Sequence, residues 1–325
     1  MEPAVSIIVP AYDVTSYIKT ALDSIFAQTF KNFEVVVVND GCPDTTNLER
    51  VLQPYLDRIR YIRQENGGVG AARRIAVLAA SAPLIAQLDP DDWWEPNYLE
   101  VQLALFASAP GVDVIYPNGY YFGDPMLEGK RLMDHTRSRG NVSFCSLLTG
   151  EVNVVYSALI RKEAILRAGN FDPELRVSED FDLWIRILKS GGRIAYHQTP
   201  LLHYRRRPES LTSARAATQN SFLQVLDKII QTVPLDKEEA ACVTRTRLAI
   251  HMEMELDDGK EAIRRRNWKK ARWHLQLYYS HRPSKKLLAV LNLLRWCPWL
   301  VSSTLGLRDR LLKTGILKAQ RSTGV

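Results

Sequence analysis

Four short apolar runs, Val5–Val9, Phe33–Val38, Ile59–Ile62 and Leu84–Leu88, are separated by stretches in which apolar residues recur every three or four positions. That alternation constrains this chain more than any other feature. Strands joined by helical crossovers are driven into a parallel sheet with helices on its faces. Tyr17, Ile18, Ala21, Leu22, Ile25 and Phe26 keep the first helical spacing, with Ser16 as its expected cap; Asp44-Thr45-Thr46 opens a second helix and Ala71–Ala80 forms a third. The unbroken valines at 35–38 suit a strand buried on both sides. The expected class is α/β, a mainly parallel, twisted sheet flanked by helices.

Three of these strands run into polar loops that contain aspartate: Asp13, Asp40, and Asp89 with Asp91. In open α/β sheets ligands bind outside the carboxyl ends of the strands, so the loops converge on the expected ligand face. The most pointed is PLIAQLDPDDWW (83–94), where three carboxylates crowd around Pro90. Like charges so close repel, and a hard cation such as magnesium or manganese relieves the repulsion. An acidic turn that caps a helix starting near Glu95-Pro96 uses the same residues in another way. Asn66-Gly67-Gly68-Val69-Gly70 reads either as a flexible loop or as backbone able to approach an anion at a helix N-terminus. In Ser178-Glu179-Asp180-Phe181-Asp182-Leu183-Trp184 the apolar residues fall at helical spacing; Ser178 is the expected cap and the acids suit the helix dipole. His203-Tyr204-Arg205-Arg206-Arg207 follows a short expected strand, Leu201–Tyr204.

SIIVPAYD, VVVVNDGCPDTT, ENGGVGAAR, AQLDPDDWW, FDPELRVSEDFDLWIR (171–186) and PLLHYRRRPESLT (200–212) follow one another in that order. The set resembles the family-2 glycosyltransferases of GT-A fold over about the first two-thirds of the chain. The resemblance implies a GT-A catalytic domain over 1–214 with a C-terminal α-helical extension, 215–325. It implies that Asp40 accepts the ring N–H of a nucleotide base in a pocket lined by Pro10, Ala11 and Tyr12. Uracil or thymine fits such a carboxylate, and guanine stays open. Asn66, Gly67, Arg73 and Pro90 would join the nucleotide site, with Asp89 on the ribose. Asp91, with Asp89 and His203, would hold Mn2+ or Mg2+, and Arg205, Arg207 and Ser210 would clamp the diphosphate. Asp180 would be the base that takes the acceptor proton, with Glu179 orienting the acceptor and Trp184 stacking on it. One base without a second nucleophilic carboxylate implies inversion. Asp92 is expected to cap the next helix and Trp93 and Trp94 to pack. Relatives usually carry Asn where this chain has Arg74. Pro117–Gly140 is expected to be a mobile flap near the acceptor.

Charge is unevenly spread. Residues 1–259 hold 27 Lys and Arg against 34 Asp and Glu, whereas 260–325 hold 16 against two. Ala262 to Tyr278 resembles half of a tetratricopeptide-like helical pair, and Leu287–Leu305 mixes leucine and tryptophan with flanking bases, including Arg308–Lys313. Core packing explains its apolar face; an anionic membrane surface explains the combination. Cys42, Cys145, Cys242 and Cys297 form no CxxC pair, which suits a reducing cytosol. Neither a signal peptide nor a membrane-spanning helix is expected. The expected place is therefore the cytoplasm, peripheral at the inner face of the plasma membrane. The expected partners are a nucleotide-diphosphate sugar, most simply a UDP-sugar, and a glycan or lipid-linked acceptor, without nucleic acid. A non-catalytic nucleotide-sugar-binding scaffold is the alternative. A dinucleotide-dependent dehydrogenase is disfavoured because the first strand ends in Pro-Ala-Tyr-Asp rather than G-x-G-x-x-G.

Overall fold

The computed structural model describes residues 2–136, 138–207 and 215–301. Contacts divide the chain into two compact units, Met1–Glu239 and Ala240–Val325.

The first unit begins as the sequence predicts: β1 (Val5–Ala11), α1 (Ile18–Phe26), β2 (Phe33–Asp40), α2 (Thr45–Leu52), β3 (Arg60–Gln64), α3 (Val69–Ala79) and β4 (Leu84–Gln87). These strands pair in parallel as β3-β2-β1-β4. Every residue of β1 is buried, and so are the valines of β2. A strand covered on both faces needs that composition, and each fully buried valine contributes about 1.5–3 kcal/mol.

The second half of the sheet is mixed. β5 (Trp93–Trp94), α4 (Tyr98–Ser108), β6 (Val114–Phe122), α5 (Leu132–His135), α6 (Phe144–Leu148), β7 (Leu159–Arg161), α7 (Lys162–Arg167), α8 (Glu179–Lys189) and β8 (Ile194–Arg205) follow in order. They extend the sheet to eight strands, β3-β2-β1-β4-β7-β6-β8-β5. β7 is antiparallel to β4 and β6, β5 is antiparallel to β8, and β6 and β8 are parallel. The strand foreseen at 201–204 is the end of the 12-residue β8. The start of the expected flap, Pro117–Phe122, belongs to β6 instead. There Gly119 lies so close to β8 that an added Cβ would meet the Leu202 carbonyl at 2.5 Å. The helix expected at Glu95-Pro96 starts at Tyr98 behind Asn97, because Trp93 and Trp94 are spent on β5.

α9 (Arg215–Thr232) lies on the first unit's side of the division, later than the expected boundary at 214/215. Its contacts explain this. Ser221 Oγ donates to the Val177 carbonyl at 2.6 Å, Phe222 packs on Phe181, and Lys228 pairs with Asp172 at 2.6 Å and Asp182 at 2.9 Å. In the second unit the long helix α10 (Lys237–Arg264, beginning before the division) leads to α11 (Trp268–His281) and α12 (Lys285–Trp296). They share a small core of Ala262, Ile263, Ala271, Leu275, Leu291, Leu294 and Val301. Arg308–Lys313 and the end of the 287–305 stretch lie outside the described residues.

Candidate functional site

The site is built at the carboxyl ends of β1, β2 and β4. Asp40, the last residue of β2, is 2% exposed. Its Oδ1 accepts from Gln64 Nε2 at 2.6 Å and from the Gly67 amide at 2.8 Å; its Oδ2 accepts from the Gly68 amide at 2.8 Å. The glycine-rich loop therefore grips an anion, as its composition suggests, but in this structure that anion is Asp40. Gly68 has φ +90°, a left-handed conformation that glycine adopts without steric cost. Pro10 and Ala11 are buried in β1, Tyr12 is 47% exposed, and Asn66 Oδ1 accepts from Arg176 at 3.3 Å.

Arg73, one turn into α3, joins two motifs that are 90 residues apart in the chain. Its Nη2 donates to Asp89 Oδ1 at 2.7 Å and its Nη1 to Glu179 Oε1, while its side chain is 3% exposed. Burial alone would lower its pKa; the charges of Asp89, Glu179 and Asp180 more than reverse that, so it stays a cation. Its Nε is buried and has no hydrogen-bond partner among the described residues. Sequence reasoning allowed only a nucleotide contact or a surface ion pair here. Arg74 has a part of its own: its Nη1 donates to the carbonyls of Gly169 and Phe171 at 3.2 Å, holding the segment that leads to α8.

In the acidic loop the three carboxylates have separate settings. Asp89 faces Arg73, and Asp91 Oδ2 accepts from Arg207 Nε at 2.9 Å. Burial, then the charge of Asp89, push the Asp91 carboxyl above the usual range, with Arg207 opposing. Asp92 is 2% exposed and does not cap α4. It accepts from the Arg205 amide at 2.6 Å and from the hydroxyl of Tyr156, a buried residue that sequence reasoning missed. Burial and the other two carboxylates raise its pKa well above the ordinary value. Pro90 is buried between them.

Asp89 and Asp91 fit a divalent cation. Among the described residues, the second oxygen of each accepts no hydrogen bond. Mg2+ and Mn2+ take such hard donors, and Mg2+ is commonly held by one or two carboxylates plus substrate phosphates. His203 is not a third ligand here: its Nε2 is 2.7 Å from Glu95 Oε1 and its ring stacks on Trp93, centroids 3.4 Å apart. Among the described residues no three His, Cys, Asp or Glu side chains gather as a metal site.

Glu179 and Asp180 open α8. Ser178 precedes them at φ +63° and its side chain makes no capping hydrogen bond, so it redirects the chain rather than capping the helix. Such a conformation costs a non-glycine residue on the order of 1–2 kcal/mol. Glu179 is 5% exposed, and burial together with Asp180 pushes its carboxyl up to about 7 against the pull of Arg73. Asp180 is partly exposed; its Oδ1 accepts from the Phe181 amide at 2.7 Å, and burial raises its pKa. Trp184 is 1% exposed and belongs to the core, so it offers no stacking face.

Arg205 Nε donates to the Asp91 carbonyl at 2.9 Å, and its guanidinium packs 4.8 Å from the Tyr17 ring and 4.4 Å from Phe122. Arg207 also rests on Tyr17, at 5.0 Å. Tyr17 registered in the sequence only as an apolar helix position. Ser210 lies outside the described residues. The structure thus links Arg73, Asp89, Asp91, Glu179, Arg205 and Arg207 through shared contacts, joins Asp40 to the glycine loop, and removes Trp184 from the surface.

Residues 6–167 match the family model described as glycosyl transferase family 2. An uncharacterized glycosyltransferase of Rickettsia felis is 35% identical over 191 residues, 58% of this chain and 32% of that protein. The uncharacterized glycosyltransferase EpsJ of Bacillus subtilis is 30% identical over 224 residues, 65% of this chain and 64% of its own length. The chain therefore spans less than two thirds of the curated relatives it matches. Among solved structures, S. aureus TarS 1-349 in complex with UDP-GlcNAc has a TM-score of 0.61 at 19% identity, covering 91% of this chain and 87% of that one. The mannosyltransferase PcManGT from Pyrobaculum calidifontis, in complex with GDP-Man and Mn2+, has a TM-score of 0.61 at 17% identity, covering 94% and 84%. Both share the fold.

Proposed function

The chain belongs to glycosyl transferase family 2, and on that premise we propose that it moves a hexose from a nucleotide-diphosphate sugar to a hydroxyl of a glycan or lipid-linked acceptor. The setting would be cell-surface polysaccharide assembly. The observation that carries this reading is Arg73, whose one guanidinium holds both Asp89 of the acidic loop and Glu179 beside the candidate base. Donor handling and acceptor activation have to meet within one substrate's length, and this contact brings their motifs that close.

Asp180 takes the proton of the incoming hydroxyl, and its partial exposure leaves an oxygen for that task. Glu179, fixed by Arg73, orients the acceptor. A single base acting from one side gives direct displacement with inversion. A divalent cation held by Asp91 and Asp89 supplies charge stabilisation to the departing nucleoside diphosphate. Arg205, which among the described residues meets a carbonyl and two rings, contributes a second positive charge on the same side. Asp40 fixes the glycine loop, and its Oδ2, with one donor bound, keeps acceptor capacity for the imide of a uracil base. The fold neighbours were solved with UDP-GlcNAc and with GDP-Man, which supports a nucleotide-sugar donor of either kind. In the second unit, residues 260–301 carry eleven Lys and Arg against one acid and expose Trp273, Trp296 and Trp299, features suited to an anionic membrane surface.

The test is a thermal-shift screen of UDP- and GDP-sugars with and without Mn2+, followed by single-turnover transfer from the donor that stabilises. Asp91→Asn should lose both the Mn2+-dependent shift and transfer, whereas Asp180→Asn should keep the shift and lose at least about a hundredfold in rate. Near-normal turnover by Asp180→Asn would remove the assigned base.

A further inference from the structure

Three guanidinium groups face the acidic loop, and their settings differ. Arg73 is 3% exposed with both terminal nitrogens on carboxylates, so it is a fixed counter-ion. Arg205 is held by the Asp91 carbonyl at 2.9 Å and by the rings of Tyr17 and Phe122. Arg207 makes one bond to the loop, Nε to Asp91 Oδ2 at 2.9 Å, and keeps 24% of its side chain in solvent. Among the described residues this is the one ion pair Arg207 makes, and its geometry is a single Nε contact rather than a two-pronged one. Its partner is one of the two carboxylates that fit a divalent cation.

We propose that Arg207 is a placeholder cation, neutralising Asp91 until a divalent ion displaces it and then turning its guanidinium to the donor's diphosphate. The second half of this statement rests on the nucleotide-sugar reading above. The exchange follows from charge. Asp91 shares its short loop with the carboxylates of Asp89 and Asp92, and the cation that lies on it is Arg207, at 2.9 Å. A divalent ion supplies more charge than Arg207 and would be held by the same carboxylate. The displaced guanidinium then needs an anion, and the diphosphate brings one to the same place. The Tyr17 ring, 5.0 Å from the guanidinium, offers a surface on which it can turn without leaving the site. Metal alone or nucleotide alone each bears the full cost of breaking the pair. Together they break it once, so their binding is positively coupled.

The experiment titrates the full chain with Mn2+, following the loss of the free-ion EPR signal, alone and with UDP or GDP present. In the wild type a nucleotide should tighten Mn2+ by about tenfold. In Arg207→Gln, Mn2+ alone should bind about threefold tighter or more, because no resident charge opposes it. Mn2+-dependent UDP or GDP binding should weaken, so the coupling shrinks from both ends. Arg207→Lys keeps the charge and should leave Mn2+ alone at the wild-type value; circular dichroism checks that each variant folds. A purely structural role moves both affinities downward, and that result, or an unchanged Mn2+ affinity in Arg207→Gln, overturns the proposal. If neither nucleotide tightens Mn2+ in the wild type, the donor reading and the turn to diphosphate both fall. The Mn2+-only comparison still decides whether Arg207 holds the place.

Discussion

Glu179 is the residue at which the electrostatics of the site can be tested most directly. Its carboxyl stands at about 7, raised by burial and by Asp180, although Arg73 pulls the other way. A carboxyl raised in the folded state lends stability that is complete below its unfolded value, near 4.5, and is lost as pH rises through about 7. Glu179→Gln never ionises. Its melting temperature should therefore gain on the wild type as pH increases across that window and hold a constant difference above it. The same change removes a negative charge beside Asp180 and leaves Arg73 with one carboxylate fewer to serve. Asp180 should then ionise more easily, and the acid limb of the transfer rate should move to lower pH by about one unit. An acid limb that stays put, or moves upward, would mean that Asp180 is not the group titrating in catalysis.

Among the elements, α3 does the assembling, and glycine is what lets it. A Cβ on Gly70 would meet the Asp172 carbonyl at 2.4 Å and the Leu175 carbonyl at 2.8 Å. The helix thus touches the backbone segment that delivers Glu179 and Asp180, while Arg73 and Arg74 pin that segment from the next turn. Gly70→Ala should push it away, destabilising the fold by about 1–3 kcal/mol in urea titrations. A displacement near 1 Å should also lower kcat by about a hundredfold, with Mn2+-dependent nucleotide affinity changing far less. Equal losses in both would place Gly70 in the donor site rather than between the motifs. Part of this was legible in the residues alone. Alternating apolar runs predicted β1 to β4 and their helices, because period and composition are local properties. The same reasoning read Gly70 as part of either a flexible loop or a ligand approach, and Ser178 as a cap. It also assigned Trp184 to the acceptor, since spacing shows which residues share a helix face but not what covers that face. Tyr156, Tyr17 and the Arg73 bridge depend on pairings 16 to 190 residues apart, which no local pattern encodes. β6 escaped notice for a related reason: a strand containing Pro117 and Gly119 reads as a loop until β8 lies beside it.

At the scale of the whole molecule, the two units carry opposite charge, and that asymmetry needs a physical use. Residues 1–259 hold an excess of acids, while 260–301 carry eleven Lys and Arg against Glu261 alone. Glu261 is itself paired with Arg264 and Arg265. Among the described residues, α12 buries Leu291 and Leu294 in the small helical core and leaves Leu288, Leu293 and Trp296 exposed beside Lys285, Lys286 and Arg295. Apolar side chains left in water next to unopposed cations cost free energy unless something covers them. An anionic lipid interface would cover both, taking indole rings at headgroup depth and adding about 1 kcal/mol per basic residue near its surface. No helix among the described residues is long and apolar enough to cross a bilayer. The full chain should therefore sediment with phosphatidylcholine vesicles containing about one third phosphatidylglycerol, and be released at high salt. Trp296 is 75% exposed, so replacing it with alanine should weaken sedimentation severalfold without lowering the melting temperature. Equal binding to pure phosphatidylcholine would assign the surface to apolar contact alone. No binding to either vesicle at low salt would leave the charge to a soluble polyanion, and an acceptor that reaches the catalytic unit without a membrane would then be required.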